Sequence, residues 1–268
     1  MAENTHAQSS GTQMLKKLIL LFILSTGANA TSFSADYTDL WWNPAEDGWG
    51  VNVIQQGDTL FATLFVYSTT DAPSWYVASG ATFTGHQAGA PAFSGKLYQA
   101  SGPWFGGAFN PAAVGLREVG TATFSFTSVT AGTLTYSVDG VTVNKDVTRQ
   151  TWRVNNLAGV YIGATMASSS GCPTAWEDEE PAMIDVEHAA GSISITTFQT
   201  SKTCTYSGAY QQMGRMGTVQ GSVWCTNGAQ GTFTAFELEG NTIGMTGRGV
   251  SQFGGDCNRL WKLGGVKR

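Results

Sequence analysis

The sequence is short of charge. Only 12% of its residues are Asp, Glu, Lys or Arg, and acids outnumber bases, for a net charge of -5. A nucleic-acid binder neutralises phosphates with a clustered basic face, and no such cluster occurs here. The same deficit argues against docking on anionic lipid. Histidine is scarce too. Beyond the N-terminal segment only His86 and His188 remain, so a Ser-His-Asp site would have to use one of them. There is no Gly-x-Ser-x-Gly elbow, and no histidine pair has the helical spacing of a zinc protease. Cysteine is missing before Cys172. No helical period of 3.6 runs through any stretch after residue 30. The one apolar run of note, Leu18 to Leu24, is too short to span a bilayer.

What is present points to an exported β protein. Abundant glycine with little charge suggests disorder, but 42% of residues are hydrophobic and 12% aromatic, enough to build a core. "MLKKLILLFILSTGANA" places Lys16 and Lys17 before the apolar run and closes on Ala28-Asn29-Ala30. That order predicts an export signal over residues 1–30, started at Met14 and cleaved after Ala30. The expected product has no transmembrane segment and resides in the periplasm or outside the cell.

Export permits disulfides. Cys172, Cys204, Cys225 and Cys257 form an even set, which allows two bridges in three connectivities. Structural zinc usually shows close cysteine pairs, and these are far apart. The preferred pairing is Cys172–Cys257 with Cys204–Cys225, joining the ends of a domain and two neighbouring strands.

Short runs rich in Val, Thr, Phe and Tyr alternate with turn signals throughout. "GVNVIQQ", "TLFATLFVY", "SWYVASGATF", "GTATFSFTSV" and "GTLTYSVDG" are examples, and Asp139-Gly140 is a tight-hairpin signal. About seven or eight strands are expected up to Val154 and about eight after it, near the number that closes a small barrel. "NNLAG", at 155 to 159, reads as a joint. The prediction is all-β: an N-terminal domain over 31–154 and a C-terminal domain over 155–268. Each would be a small antiparallel barrel or sandwich, with both bridges in the second. A single larger sandwich stays open.

The richest stretch is "DLWWNPAEDGWGVNV", residues 39 to 53. Asn43-Pro44-Ala45-Glu46-Asp47-Gly48 reads as a turn, because proline cannot continue a sheet and Asp-Gly supports reversal. Trp49, Val51 and Val53 share one strand face. Trp49 and Trp75 are expected in the core. Trp41 and Trp42 must point opposite ways if extended. Together with Trp104, in the loop "SGPWFGGAFNP", they are the candidate ligand-binding residues.

With "PSWYVASG", this stretch resembles a segment of uncharacterised exported proteobacterial proteins. The resemblance covers residues 37–80 and rests on Trp41, Trp42, Pro44, Glu46, Gly48, Trp49, Gly50 and Trp75. It implies export and a β-rich fold, and no activity. Gly48-Trp49-Gly50 and Gly159-Val160-Tyr161 also resemble the Gly-x-Trp that closes calycin-type barrels (lipocalins and avidins), a likeness of fold without a ligand.

Acids concentrate once, in "AWEDEEPAMIDVEH". Read as a loop before a strand, this run offers Glu177, Asp178 and Glu180 as oxygen ligands for calcium, although Asp-x-Asp-x-Asp-Gly is missing. Glu177, Asp178, Glu179, Asp185 and His188 are the candidate catalytic residues, as acid, base or activator of water. If the run is a strand, His188 faces away from Asp185 and Glu187. No motif requires a cofactor, and calcium is the one ion the run suits.

Three functions remain in play. The first is a secreted protein binding a glycan or small apolar ligand on aromatic side chains. The second is a secreted, calcium-assisted hydrolase of an ester, lactone or glycoside. The third is a protease inhibitor or envelope interaction protein. Nothing resembles a prepared nucleophile, so binding leads, and whether the chain is an enzyme stays open.

Overall fold

The computed structural model describes residues 35–255 and 257–268. The expected export signal, residues 1–30, lies outside the described residues. The first eight strands are β1 (Asp39–Trp42), β2 (Gly50–Gln56), β3 (Thr59–Tyr67), β4 (Pro73–Gln87), β5 (Ala90–Ser101), β6 (Gly115–Ser125), β7 (Ala131–Val138) and β8 (Val141–Arg149). Each pairs antiparallel with the next. β1 then pairs with β8 through Trp41↔Arg149 and Trp42↔Thr148, closing a barrel.

The second eight are β9 (Gly159–Ser170), β10 (Glu177–Ala189), β11 (Ser192–Gln199), β12 (Thr203–Met213), β13 (Met216–Cys225), β14 (Gln230–Gly240), β15 (Gly244–Gln252) and β16 (Asn258–Lys267). They close in the same way, β16 pairing with β9 from Asn258↔Ser170 to Lys267↔Tyr161. The chain is thus all-β with two up-and-down eight-stranded barrels, and the expected joint falls between β8 and β9.

Alternation builds both cores. Val51 and Val53 on β2 and Leu60, Ala62 and Leu64 on β3 point inward, with Phe93, Leu97, Phe124 and Leu134 completing the first interior. An eight-stranded barrel is just wide enough to be filled by side chains in this way. Val138 pairs with Val141 across Asp139-Gly140, and both turn residues have positive φ, 48° and 86°. That is the backbone a two-residue hairpin needs to match strand twist.

One closure device serves both barrels. Trp41 Nε1 donates to Tyr37 O at 2.9 Å, while Tyr37 stacks on Phe126 at 3.8 Å. The Arg149 guanidinium lies 4.9 Å from the Trp41 ring. It donates to Thr38 O, Asp39 Oδ2, Val129 O and Asp36 O, tying the start of the barrel to its last strand. In the second barrel Tyr161 OH donates to Leu157 O at 2.7 Å. Lys267 Nζ lies 5.7 Å from the Tyr161 ring and donates to Ala158 O. The counterpart of Tyr161 in the first barrel is therefore Trp41, not the expected Trp49. The four residues before the proline turn already form a strand, so the barrel starts one strand earlier than Gly48-Trp49-Gly50 suggested.

The barrels meet through these closed ends. The β12–β13 hairpin carries Arg215, whose N–H and guanidinium donate to Asp39 Oδ2, Thr38 O, Glu239 Oε1 and Asp36 Oδ2. Burial alone would raise the Asp36 carboxyl, but bonds from Thr38 and the Arg215 charge hold it below the ordinary aspartate value. Gly214 sits at the hairpin tip with φ +60°, and a Cβ there would lie 2.3 Å from Asp39 Oδ2. Only glycine combines that conformation with that approach.

The second barrel contains both bridges, Cys172–Cys257 and Cys204–Cys225, as the spacing suggested. They fit an oxidising compartment. Among the described residues no helix is long and apolar enough to cross a membrane.

Candidate functional site at the open end of the first barrel

In an up-and-down barrel, alternate loops share an end. The β1–β2, β3–β4, β5–β6 and β7–β8 loops therefore surround the end opposite to the Trp41–Arg149 closure. The first of them is the proline turn. Glu46 N donates to Asn43 O at 3.0 Å and Ala45 N to Asn43 Oδ1 at 2.9 Å. Proline after asparagine favours this reversal. Gly48 follows with φ +105°, and its carbonyl accepts from Tyr67 OH at 2.9 Å.

The turn brings Glu46 back over the mouth. Glu46 Oε2 accepts from Trp49 Nε1 at 3.0 Å and from Lys145 Nζ at 2.5 Å. Lys145 belongs to the inward row of β8, between Val143 and Val147, and its Nζ lies 5.6 Å from the Trp49 ring. The lysine bond, the first cause, and that of Trp49 hold the Glu46 carboxyl below its ordinary value. Around them Trp49, Val66, Tyr76, Tyr136 and Val138 are half-buried and packed on the core. Burial raises the Tyr136 phenol above its ordinary value, with Lys145, Tyr76 and Glu46 close enough to act on it.

The β5–β6 loop forms the rest of the rim. Asn110 caps a short 3-10 turn, Pro111–Ala113, by accepting from Ala112 N. Trp104 folds over Gly106, where a Cβ would strike its ring, and lies 5.8 Å from Phe105. Trp104 is 71% exposed, Phe105 93% and Phe109 70%. Apolar side chains held in water this way mark contact sites more often than chance exposure.

The sequence-derived ligand candidates divide. Trp41 is 1% exposed and is a closure residue, a correction explained by its place on β1 opposite Arg149. Trp42 is half-buried at the end of β1 nearest the mouth, and Trp104 is on its rim. Trp75, expected in the core, is 47% exposed on the outer face, opposite Phe65. Lys145, Tyr76, Tyr136, Phe105 and Phe109 were missed. For Lys145 the signal existed: it alternates with valines at the inward positions of a strand.

The acidic run is a strand, β10, and not the expected loop. Alternation sends Glu177, Glu179, Asp185 and Glu187 outward and Asp178, Glu180 and His188 inward. Asp178 Oδ2 accepts from Lys202 Nζ at 3.2 Å and Arg259 at 3.5 Å. The expected calcium ligands Glu177, Asp178 and Glu180 thus face opposite sides of one strand. Among the described residues no cluster of three His, Cys, Asp or Glu is placed to hold a metal. The open end of the second barrel is packed: its interior cavity, lined by Thr165, Thr197, Gln199, Tyr206 and Arg259 among others, measures about 10 Å³, room for about one water. Outside it, Met166, Leu260 and Phe236 line a groove of about 450 Å³ with Glu177 and Glu179 on its edge.

His188 is a structural acceptor. Its Nδ1 accepts from Leu157 N at 3.1 Å, and its ring meets Tyr210 at 4.4 Å. Burial pushes the Tyr210 phenol up to about 12 and lowers His188 from 6.5. The fold therefore favours neutral His188. The stability this contributes is complete above about pH 6.5 and is lost as pH falls through the lowered folded value. Melting temperature should fall over that window, and His188→Gln, which retains an acceptor without titrating, should flatten the slope.

No protein-family model matches the chain, and no curated protein is significantly similar to it.

Proposed function

We propose that the chain is a ligand-binding protein whose site is the aromatic mouth of the first barrel, and that it takes a small apolar or glycan ligand. The observation that carries this is that Trp49, Tyr76 and Tyr136 are half-buried on the core at one end of the barrel, with Trp104, Phe105 and Phe109 exposed on a loop of that end and Trp42 and Tyr67 on the outer face beside it. Aromatic faces supply large contact area for little loss of side-chain entropy, and their edges supply hydrogen bonds. The opposite end of the same barrel has its aromatics sealed by Arg149, so the two ends divide the work between closure and contact.

The hydrolase reading is the alternative: Glu177, Asp178 and Glu179 line the groove outside the second barrel, whereas His188 is bonded to Leu157 N and is not among the groove's residues. Tryptophan fluorescence titrated with N-phenyl-1-naphthylamine and, separately, with maltohexaose tests the binding reading. One of the two is expected to saturate, with Trp104→Ala weakening it at least about tenfold, or about 1.4 kcal/mol, without lowering the melting temperature. No saturation by either, or saturation that ignores Trp104→Ala and Phe105→Ala, overturns it.

A further inference from the structure

The lysine inside the mouth narrows the ligand class. Two cations point into the first barrel, Arg149 at the closed end and Lys145 at the open end. Arg149 is fully buried and satisfied by backbone carbonyls and Asp39. Lys145 differs. Its side chain is 27% exposed, and among the described residues its one hydrogen-bond partner is Glu46. An ammonium has three donors, so two remain for water or an incoming group. Glu46 lies on a loop, is 41% exposed, and reaches Lys145 from 99 residues away in sequence. A partner this exposed exchanges with competing anions at little cost, because a solvent-accessible ion pair contributes little.

We propose, building on the mouth as the binding site, that its ligand is a molecule with an apolar or aromatic body and a single carboxylate-like anion. The anion displaces Glu46 and is held by Lys145, while the body lies on Trp49, Tyr76 and Tyr136. The ligand's apolar body would cover the new pair, and a charge-assisted bond shielded from water outweighs the same bond left in water. Asp47 and Asp71, on the loops of the same rim, have no ion-pair partner among the described residues. They disfavour polyanions, whereas one anion reaching the interior meets the lysine first. Glu46 then acts as a resident stand-in that keeps Lys145 neutralised while the mouth is empty. On release it also frees the indole N–H of Trp49.

Isothermal titration with 1-naphthylacetic acid and 1-naphthylacetamide isolates the charge, because the two share a ring and differ in the anion. The acid is expected to bind the whole chain at least about tenfold more tightly than the amide. Glu46→Gln removes the competitor and should raise that ratio several-fold. Lys145→Met should erase it, with near-UV circular dichroism reporting that the barrel is intact. If the acid and amide bind equally, or if Glu46→Gln lowers the ratio, the anion inference falls and the mouth remains a binding site. If neither probe binds, while the neutral titrations above also fail, the reading of the mouth falls with it.

Discussion

Arg149→Ala is expected to melt the first barrel while the second stays folded. The guanidinium is wholly buried and links β8 to Asp36 O and Thr38 O before β1, to Asp39 at its start, and to the β6–β7 loop through Val129 O. Removing it takes a donor from Asp36 O and Val129 O, leaves Thr38 O with Arg215 Nε, and leaves Asp39 with the backbone N–H groups of Leu40 and Arg215. It also uncovers one face of Trp41. Removing one partner of a buried pair costs about 3–5 kcal/mol. At about 4 °C per kcal/mol for a unit the size of one barrel, the first transition should drop by about 12–20 °C. Arg149→Lys retains the charge but not the fork that reaches four acceptors, and should recover less than half of the loss. Lys267→Ala, the exposed counterpart in the second barrel, should cost about 1 kcal/mol or less. A wild-type melting curve for Arg149→Ala would refute this account of closure.

Reduction is expected to do the opposite, loosening the second barrel alone. All four cysteines are paired there, and the first barrel has none. Cys172–Cys257 spans 85 residues and staples the β9–β10 loop to the chain entering β16. Restricting a loop of that length in the unfolded chain stabilises by about 4–5 kcal/mol in the chain-entropy view, against about 3 kcal/mol for the 21-residue span of Cys204–Cys225. Cys172→Ser with Cys257→Ser should therefore lower the second transition more than Cys204→Ser with Cys225→Ser. Dithiothreitol, which opens both bridges, should lower the second transition by more than either pair of substitutions and leave the first in place. Scanning calorimetry of the oxidised, reduced and paired-serine proteins gives the comparison. Equal shifts in both barrels under reductant would refute it.

How far the sequence revealed this molecule depended on the range of the contacts involved. The strands follow from period-two alternation, and the Asp139-Gly140 hairpin and the Asn43-Pro44 turn follow from local backbone chemistry. The cysteine pairing was available because Cys204 and Cys225 flank what reads as one hairpin. The closure was not legible in the same way. Trp41 and Trp49 look alike locally, and what separates them is Arg149, whose partner Asp39 is 110 residues away. Lys145 was readable as inward but not as paired, because Glu46 arrives from 99 residues away across the β1–β8 seam. The acidic run failed for the reverse reason. Six acids in a row of eleven look like a loop, yet alternation lets a strand place some outward and give the inward Asp178 two cations. Trp75 shows that a large aromatic in a strand need not face the core when register sets it opposite Phe65.

Closing both sheets has a consequence for how this protein meets others. Each strand has a neighbour on both sides, so neither sheet ends on a free edge strand, although in the first barrel β1 covers only Thr148 and Arg149 of β8. Open sheets rich in Val, Thr and Phe recruit further strands along such rows and grow into aggregates unless charge blocks them. This chain has little charge for that defence, and geometry replaces it. The same geometry leaves a partner little free edge on which to add a strand, the seam between β1 and β8 being the shortest pairing in either barrel.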